Sequence, residues 1–150
     1  MTFKLSQNSL KRLEGVNPRL ISVVKRAIEI TEIDFGVIEG VRTKKRQAQL
    51  VAAGKSQTMN SKHIEGKAVD LVAVVNGKIT WDLSYYDNIA DAMKQAAKEL
   101  GIKIRWGAAW TVNDLGNWDG DGQSAMDSYV STRRKQGRRP FIDGVHFELS

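Results

Sequence analysis

The chain has 150 residues, a formal net charge of +6 and no cysteine. This length suits a single domain over residues 1–150 whose core needs no covalent staples, and the lack of cysteine excludes disulfides, thiolate metal sites and cysteine nucleophiles. A metal such as zinc would therefore need histidine and carboxylate ligands. The positive charge attracts polyanions, but it does not distinguish between nucleic acids, anionic membranes and bacterial cell walls.

The N-terminal segment lacks the pattern of an export signal. Residues 1–13 mix lysine, serine and asparagine with few apolar residues, and they contain neither an apolar h-region nor a small-residue cleavage site. No stretch approaches the roughly 18 apolar residues of a membrane-spanning helix. We therefore expect a protein that is made in the cytoplasm, is not inserted into a membrane, and needs another route to any target outside.

Apolar periodicity and the positions of glycine and proline predict a mixture of helices and short strands. In chain order we expect a capped start at 9–14, a helix over about 18–31, a strand at 35–39 and a helix at 43–53. A strand at 68–75 turns at Asn76-Gly77 into a second strand at 78–81, followed by a helix at 88–100 and a strand at 102–106.

Residues 107–140 show no clear period, because glycine, aspartate, asparagine and serine dominate before a basic run at 133–139. A loop of this length inside a compact domain is usually functional. Strand character returns at 143–149. Helices and hairpins in this order, rather than βαβ units, predict an α+β fold with a central, mainly antiparallel sheet and flanking helices.

Histidine occurs only at His63 and His146, and each lies near a carboxylate. Asp70 follows His63 in a strand with apolar neighbours, and Gly66 allows a sharp turn between them. A lone buried carboxylate is costly, and a cation held jointly with His63 would offset that cost. Taken singly, His63 suits an ordinary surface position, and Asp70 could simply face solvent.

The segment Asp143-Gly144-Val145-His146 supplies a second imidazole and another carboxylate. Three ligands of His, Asp and His type leave the fourth zinc position open for water, whose pKa the metal lowers to about 7. A general base must accept the proton of this water, and Asp143 is the candidate. Together, the two segments favour a zinc site at His63, Asp70 and His146.

The pattern Ser-x-His-x-x-Gly-x-Ala-x-Asp at 61–70, followed by Asp-x-x-His at 143–146, resembles the D-Ala-D-Ala-carboxypeptidase-type zinc peptidases, structural cousins of the hedgehog signalling domain. The similarity covers most of the chain, including "GVRTKKRQAQL" and "KELGIKIRWGAAW". The subgroup that it most resembles is the phage L-alanyl-D-glutamate endopeptidases, which are endolysins.

The resemblance implies a hedgehog/D-Ala-D-Ala-peptidase-like fold with one catalytic zinc on His63, Asp70 and His146, and with Asp143 as the base. It also implies hydrolysis of the L-Ala–D-Glu bond of bacterial peptidoglycan during host-cell lysis, in the periplasm, once the membrane has been permeabilised. The choice of bond comes from the resemblance alone, because the residue chemistry does not distinguish it from D-Ala–D-Ala.

Three further residues match positions of this family, and Glu148 is a fourth candidate on other grounds. Arg42 matches an arginine that faces the substrate carbonyl or the oxyanion, where a fixed cation stabilises developing negative charge; alone it would be taken for a surface charge. Ser61 matches a serine near the metal but could equally cap a turn, and Gln47 matches a glutamine that could simply lie on a helix face. Glu148 is a rival base, although strand alternation places it beside His146, where it could instead orient that ligand.

A second metal site is predicted where Asn-Trp-Asp-Gly-Asp-Gly at 117–122 matches the start of a calcium loop. The candidate ligands are Asn117, Asp119, Asp121, Gln123 and Asp127. Ser128 stands at the twelfth position, where the full pattern has glutamate, so Asp127 would have to substitute. Some relatives in the endolysin group are calcium-regulated, which favours a regulatory Ca²⁺ over the alternative of a polar turn.

Two other functions are compatible with the sequence: a carboxypeptidase or dipeptidase of the same fold, and a non-enzymatic module that binds the wall or nucleic acid. We expect no nucleic-acid partner, because basic and aromatic residues do not interleave. The basic cluster suits either a solvated loop or contact with anionic wall polymer; its members are Arg133, Arg134, Lys135, Arg138 and Arg139. The expected protein is a monomer that acts on peptidoglycan.

Overall fold

The computed structural model describes residues 3–56, 59 and 61–150. Its helices are α1 (Gln7–Arg12), α2 (Pro18–Ile30), α3 (Lys44–Ala52), α4 (Leu83–Leu100) and α5 (Gly122–Lys135), with a 3-10 turn at Leu115–Asn117. Its strands are β1 (Asp34–Glu39), β2 (Ala68–Val75), β3 (Lys78–Thr80), β4 (Ile104–Trp106) and β5 (His146–Leu149). In these ranges, no helix combines the length and the apolarity needed to cross a membrane.

The strands form one sheet in the order β1-β2-β5-β4, with β3 paired to β2. Every pairing is antiparallel, so the predicted α+β class with an antiparallel sheet and flanking helices is confirmed. The hairpin between β2 and β3 turns at Asn76 and Gly77, which both have positive φ, 54° and 76°. Such a turn matches the twist of the flanking strands, which is why the Asn-Gly pair predicted it.

The hydrophobic core lies between one face of the sheet and the helices α2 and α4, which pack against each other. Successive side chains of a strand point to opposite faces, and Leu71 of β2 and Phe147 of β5 are fully buried in this core. Other apolar core residues with no exposed surface include Leu20, Val23, Val24, Ile89, Met93 and Trp106. Asp70 of β2 and His146 of β5 directly precede Leu71 and Phe147, so their side chains point to the opposite face, which carries the site described below.

Helix α4 begins at Leu83, five residues before the predicted start at residue 88. The carboxylate of Asp82 accepts a hydrogen bond from the backbone N–H of Ser84 at 3.0 Å and caps the helix. Gly101, with φ +67°, ends it as predicted. The predicted start was late because Ser84 and the tyrosines that follow do not form an apolar stripe.

The prediction of an irregular segment over 107–140 was wrong for its second half, because α5 occupies Gly122–Lys135. Asp121 caps this helix by accepting from the N–H of Ser124 at 2.9 Å. The buried side chains of α5 are only Ala125 and Tyr129, so the sequence offers no apolar stripe at helical spacing. The strand predicted at 143–149 is also shorter, because pairing begins at His146.

Candidate metal centre

Three neighbouring strands place the centre of the site on the face of the sheet that is turned away from the core. In the antiparallel register, Asp70 of β2 lies opposite His146 of β5 on one side and opposite Glu39 of β1 on the other. Residues directly opposite each other share a face. A shift in register between Val37 and Glu39 accompanies this alignment of Glu39. The sheet therefore gathers two carboxylates and an imidazole without help from any loop.

His63 completes the cluster from the turn before β2. Its Nε2 lies 3.1 Å from Oδ1 of Asp70, and Nδ1 of His146 lies 3.4 Å from the same oxygen. One ligand atom from each of these three buried residues lies within 4.8 Å of the others. Ligands about 2.0–2.1 Å from a tetrahedral zinc ion are roughly 3.3 Å apart, so the observed spacing fits such an ion.

The turn that carries His63 is held by one hydrogen bond of the imidazole and one of the backbone. The Nδ1–H of His63 donates to the carbonyl oxygen of Gly40 at 2.9 Å, which leaves Nε2 as the nitrogen that faces Asp70. The carbonyl oxygen of His63 accepts from the backbone N–H of Arg42 at 2.9 Å. Gly66 has φ +71°, so the sharp turn expected there is present. A second ring bond of this kind fixes the tautomer of a metal-ligating histidine.

His146 is oriented in the same manner by Glu148. Its Nε2–H donates to Oε1 of Glu148 at 2.8 Å, and this leaves Nδ1 for the metal. Glu148 is held in turn by Lys62, whose Nζ lies 3.3 Å from Oε2, and by Arg105 at 3.8 Å. Glu148 therefore acts on His146 from the side away from Asp70, as strand alternation had indicated.

The electrostatics of the cluster favour a cation between the side chains. Burial alone would raise the pKa of Asp70, but the hydrogen bonds and charges of His146 and His63 outweigh it and hold that pKa well below its ordinary value. Burial lowers the pKa of His146, whereas hydrogen bonds to Asp70 and Glu148 raise it to about 9. The carboxylates thus stabilise a positive charge among these side chains. Either a proton or a divalent metal ion can supply that charge.

Asp143 lies just before β5 and lines the same cleft. Burial and the nearby charge of Asp70 raise its pKa, against opposing contributions from His146, His63 and Arg42. For Glu148, the hydrogen bond and charge of His146 outweigh the effect of burial and lower its pKa. A carboxylate with a raised pKa is the better proton acceptor near neutral pH, whereas the carboxylate of Glu148 is already hydrogen-bonded to His146.

Arg42 is more deeply engaged within the protein than a residue reserved for substrate. Its Nε and Nη2 donate to the two carboxylate oxygens of Glu39, each at 2.8 Å, and Nη2 also reaches Oδ2 of Asp70 at 3.2 Å. Its Nη1 donates to Oε1 of Gln47 at 2.7 Å. A guanidinium has five N–H groups, so among the described residues one N–H, on Nη1, is left over.

Ser61 and Gln47 both lie beside the site, in supporting positions. Ser61 lines the cleft, and its hydroxyl accepts from the backbone N–H of His63 at 3.2 Å, which is the turn-capping contact expected of a serine there. Gln47 of α3 is fully buried. Besides Arg42, it contacts Ser56, to whose hydroxyl its Nε2 donates at 2.8 Å.

The centre opens into a cleft of about 760 Å³. Its walls include Trp110, whose ring lies 5.3 Å from that of His146, and Tyr129 of α5. The cleft also holds the cations Lys55, Lys62, Arg105, Arg133, Arg138 and Arg139. An extended peptide can therefore reach the candidate ligands from solvent.

Three positions that support the site could not be found from the sequence: Glu39, Lys62 and Gly107. Glu39 holds Arg42, and Lys62 holds Glu148. No local sequence pattern indicates such contacts. A Cβ on Gly107 would lie 2.2 Å from the carbonyl oxygen of Asp143 and 2.9 Å from Cβ of His146. The only sequence signal was a glycine directly after a predicted strand.

The predicted calcium ligands lie apart from this centre and are all exposed. Asp121 caps α5, and Nδ2 of Asn117 donates to the carboxylate of Asp114 at 2.8 Å. In the described part of the chain, only the His63–Asp70–His146 group brings three such ligand atoms together. Asp121 and Asp127 nevertheless lie near enough to Asp87 of α4 to affect its pKa by their charge.

Comparison with known proteins gives a consistent result. A family model described as "Phage L-alanyl-D-glutamate peptidase" matches residues 1–150. The chain is 44% identical to the L-alanyl-D-glutamate peptidase of Escherichia phage T5 over 153 residues, which covers 99% of both chains. It is 35% identical to the L-alanyl-D-glutamate peptidase of Listeria phage A118 over 114 residues, or 74% of this chain and 40% of that protein.

Among solved structures, the fold is similar to that of the Serratia marcescens L-Ala D-Glu endopeptidase ChiX. The TM-score is 0.72 at 34% sequence identity, and the match covers 98% of this chain and 90% of the other. The similarity therefore includes all the elements that build the site.

Proposed function

Because the chain belongs to the phage L-alanyl-D-glutamate peptidase family, we propose that it is a zinc-dependent endopeptidase that hydrolyses the L-Ala–D-Glu bond of peptidoglycan stem peptides. The single observation that carries the metal is the buried His63–Asp70–His146 group at the base of an open cleft. The choice of bond is supported by the names of the relatives. In this proposal residues 1–150 form one catalytic domain that acts as a monomeric phage endolysin on the cell wall.

His63, Asp70 and His146 would hold the zinc through Nε2, Oδ1 and Nδ1. A bound zinc ion supplies Lewis-acid polarisation of a carbonyl group and lowers the pKa of a hydrolytic water. Glu148 and the carbonyl oxygen of Gly40 keep the two imidazoles in the required tautomers. Two histidines and a carboxylate, with room left for a fourth ligand, are the donor set of a catalytic rather than a structural zinc site.

Asp143 performs the proton transfers. Its carboxylate accepts a proton from the attacking water and returns it to the nitrogen of the leaving D-Glu residue. The hydrogen bond from its backbone N–H to the carbonyl oxygen of Gly107, at 2.9 Å, holds it at the edge of the cleft. The raised pKa of Asp143 suits both the acceptance and the return of the proton.

Arg42 has two roles in this scheme. Its bond to Oδ2 of Asp70 leaves Oδ1 as the oxygen directed at the histidines. Its remaining Nη1 hydrogen is available to the substrate carbonyl oxygen, where charge develops during the reaction. Glu39 and Gln47 prevent the guanidinium from turning away.

Reversible metal removal tests the proposal against a non-enzymatic wall-binding module. Purified walls in suspension should clear in the presence of the enzyme, cease to clear after treatment with a zinc chelator, and clear again when zinc is returned. A wall binder would sediment with the walls under all three conditions and clear none of them. Release of free D-alanine, instead of cleaved stems, would indicate the carboxypeptidase alternative.

We also propose that calcium binds at Asn117, Asp119, Asp121, Gln123 and Asp127, away from the zinc site, and regulates the enzyme. The support is the sequence pattern, together with the acidic charge that Asp121 and Asp127 share with Asp87. Calcium titration of the zinc-loaded enzyme should shift the amide NMR signals of this segment and raise turnover. Unchanged signals and an unchanged rate would leave the segment as a polar connection and helix cap.

A further inference from the structure

Some of the cations that line the cleft are bonded through their side chains within the described part of the chain, as Arg133 is to Gln136, whereas Lys55, Arg138 and Arg139 are not. Lys62 is bonded to Glu148 and to the carbonyl oxygen of Leu149, and Arg105 donates to the carbonyl oxygen of Trp110 at 2.6 Å. Arg138 and Arg139, in contrast, are exposed and make no ion pair or side-chain hydrogen bond with the part of the chain that is described. These two guanidinium groups are therefore free to bind a ligand from solvent.

The segment that carries the two arginines is held firmly at its start. Helix α5 ends in a turn at Gly137, with φ +69°, whose N–H donates to the carbonyl oxygen of Arg134 at 3.0 Å. The N–H of Arg138 donates to the carbonyl oxygen of Arg133 at 2.8 Å. These two bonds form a Schellman motif, which turns the chain back from the helix end.

The same segment is held again just before the site. The buried hydroxyl of Tyr129 donates to the carbonyl oxygen of Phe141 at 3.0 Å and accepts from the N–H of the same residue at 2.9 Å. Two residues later comes Asp143, bonded to Gly107. Arg138 and Arg139 thus lie on a short connection between α5 and the proposed base, and their side chains line the same cleft as Asp143 and His146.

The proposed substrate has a negative charge at that place. In stem peptides D-Glu is joined to the next residue through its side-chain carboxyl, so its α-carboxyl group stays free and is attached to the carbon that bears the scissile nitrogen. The site itself is rich in carboxylates, which repel this anion. Arginine pairs with carboxylates through two parallel hydrogen bonds, so a free arginine at the mouth of the cleft complements the substrate.

On the premise of the L-Ala–D-Glu activity, we propose that Arg138 and Arg139 bind the free α-carboxylate of D-Glu and select acidic stem peptides over those in which this group is amidated. The alternative is that the basic run only attracts the polyanionic wall through its long-range field. That field depends on total charge and hardly on position, whereas binding of one carboxylate depends on position.

The chain offers a matched control for position. Arg134 and Lys135 belong to the same basic run and carry the same total charge, but they line a separate shallow depression beside Asp127 and Val130. We compare R138Q/R139Q with R134Q/K135Q, because each pair removes two positive charges from exposed positions. Unchanged thermal unfolding of both variants shows that neither has lost its fold.

The substrates are two soluble muramyl peptides that differ only in carrying D-Glu or its α-amide, D-isoglutamine. Wild-type enzyme should cleave the acidic peptide with a kcat/KM roughly 10- to 100-fold higher, the range that hydrogen bonds between charged groups support. In R138Q/R139Q this preference should vanish through a higher KM for the acidic peptide, while the amide is cleaved as before. R134Q/K135Q should keep the full preference.

Three results would overturn the inference. One is equal cleavage of both peptides by wild-type enzyme, and another is an equal loss on both peptides in R138Q/R139Q. The third is the same loss of preference in R134Q/K135Q, which would indicate long-range attraction. If wild-type enzyme cuts neither peptide at the alanyl bond, the proposed function itself fails and the inference fails with it.

Discussion

Each candidate zinc ligand has a partner that fixes its orientation. Gly40 holds His63, Glu148 holds His146, and Arg42 occupies the second oxygen of Asp70. Such outer contacts prepare the three ligand atoms before any metal arrives. The three ligands therefore need little reorganisation when zinc binds. Removing a ligand should abolish zinc binding, whereas removing the partner that orients it should only weaken the affinity for zinc.

Metal content tests this difference. His63→Ala, Asp70→Ala and His146→Ala should each abolish stoichiometric zinc binding, because two remaining ligands do not hold the ion. Glu148→Gln should still bind zinc, with an affinity lowered by about 10- to 100-fold. Elemental analysis after dialysis against metal-free buffer measures the first effect, and competition with a chromophoric chelator measures the second. Full zinc retention in all three ligand variants would eliminate the site.

Asp143→Asn separates catalysis from metal binding. The substitution removes the proposed proton acceptor but none of the ligands, so zinc content and thermal stability should stay near those of the wild type. Turnover should fall by about 10²- to 10⁴-fold, the usual contribution of a general base. Near-normal turnover would transfer the role of base to another group, with Glu148 the first to test.

At the scale of elements, the site depends on how closely β5 and the chain after β4 approach each other. Gly107 donates its N–H to the carbonyl oxygen of His146 at 2.8 Å and accepts from the N–H of Asp143. No side chain fits between these backbones. The base and one ligand are thus positioned together by one short stretch of chain.

Gly107→Ala should therefore reduce activity strongly, because the new Cβ would lie 2.2 Å from the carbonyl oxygen of Asp143 and must push that segment aside. Gly116→Ala is a suitable control, since the nearest atoms to its Cβ lie at 3.4 Å or more. Turnover and zinc affinity of the two variants are compared. Equal, wild-type values for both would show that the segment moves without consequence.

The contact between α4 and α5 should make stability depend on pH. Burial, followed by the charges of Asp91, Asp127 and Asp121, raises the pKa of Asp87 from 3.8 to about 6, and its Oδ1 is buried without a hydrogen-bond partner in the described structure. Because the folded state binds this proton more tightly, the associated stability is complete below pH 4 and is lost as the pH rises through 6.

Asp87→Asn removes this titration. The free energy of unfolding of the variant should rise relative to that of the wild type as the pH rises from 4 to 7. At pH 8 the variant should be more stable by about 1 kcal/mol once solvent screening is allowed for. Thermal unfolding in calcium-free buffer at several pH values measures the gain, with Glu65→Gln in an exposed turn as the control. A difference that is the same at every pH would contradict the assignment.

The elements that the sequence predicted well are those with a regular pattern of burial or a strong stop signal. Helix α2 and strand β2 have clear apolar patterns, and the Asn76-Gly77 turn needs positive φ at both residues. Helix α5 was missed because its buried face consists of small residues and Tyr129, and because its capping aspartate, Asp121, also fits the pattern of a calcium loop. Local sequence cannot separate these two uses of one aspartate.

In the whole molecule, the register of the strand pairs sets which side chains lie beside Asp70, and the sequence alone does not show this register. The motif spacing indicated His63, Asp70 and His146, and the structure brings these three together with Asp143, Arg42, Ser61 and Glu148 around one cleft. Gln47 is buried behind it and is hydrogen-bonded to Arg42. Glu39 was invisible because only the pairing of β1 with β2 sets it opposite Asp70. The roles proposed for these residues now rest on geometry as well as on motif.

Part of the excess positive charge lies in the cleft of the whole molecule. The net charge of +6 indicated a polyanionic partner without naming it, and six cations of the cleft surround a centre that is itself acidic. A peptide with several carboxylates is drawn to that cleft by the cations that line it. The distribution of charge therefore suits the acidic stem peptides of the wall.

Mass spectrometry of purified peptidoglycan, after digestion with the zinc-loaded enzyme and with Asp143→Asn, tests cleavage of the L-Ala–D-Glu bond most directly. We expect glycan fragments that retain a single L-alanine on the muramyl group, together with released peptides that begin with D-glutamate, and neither product with the variant. Stems that lose only a terminal D-alanine, or walls that stay intact with the wild-type enzyme, would contradict it.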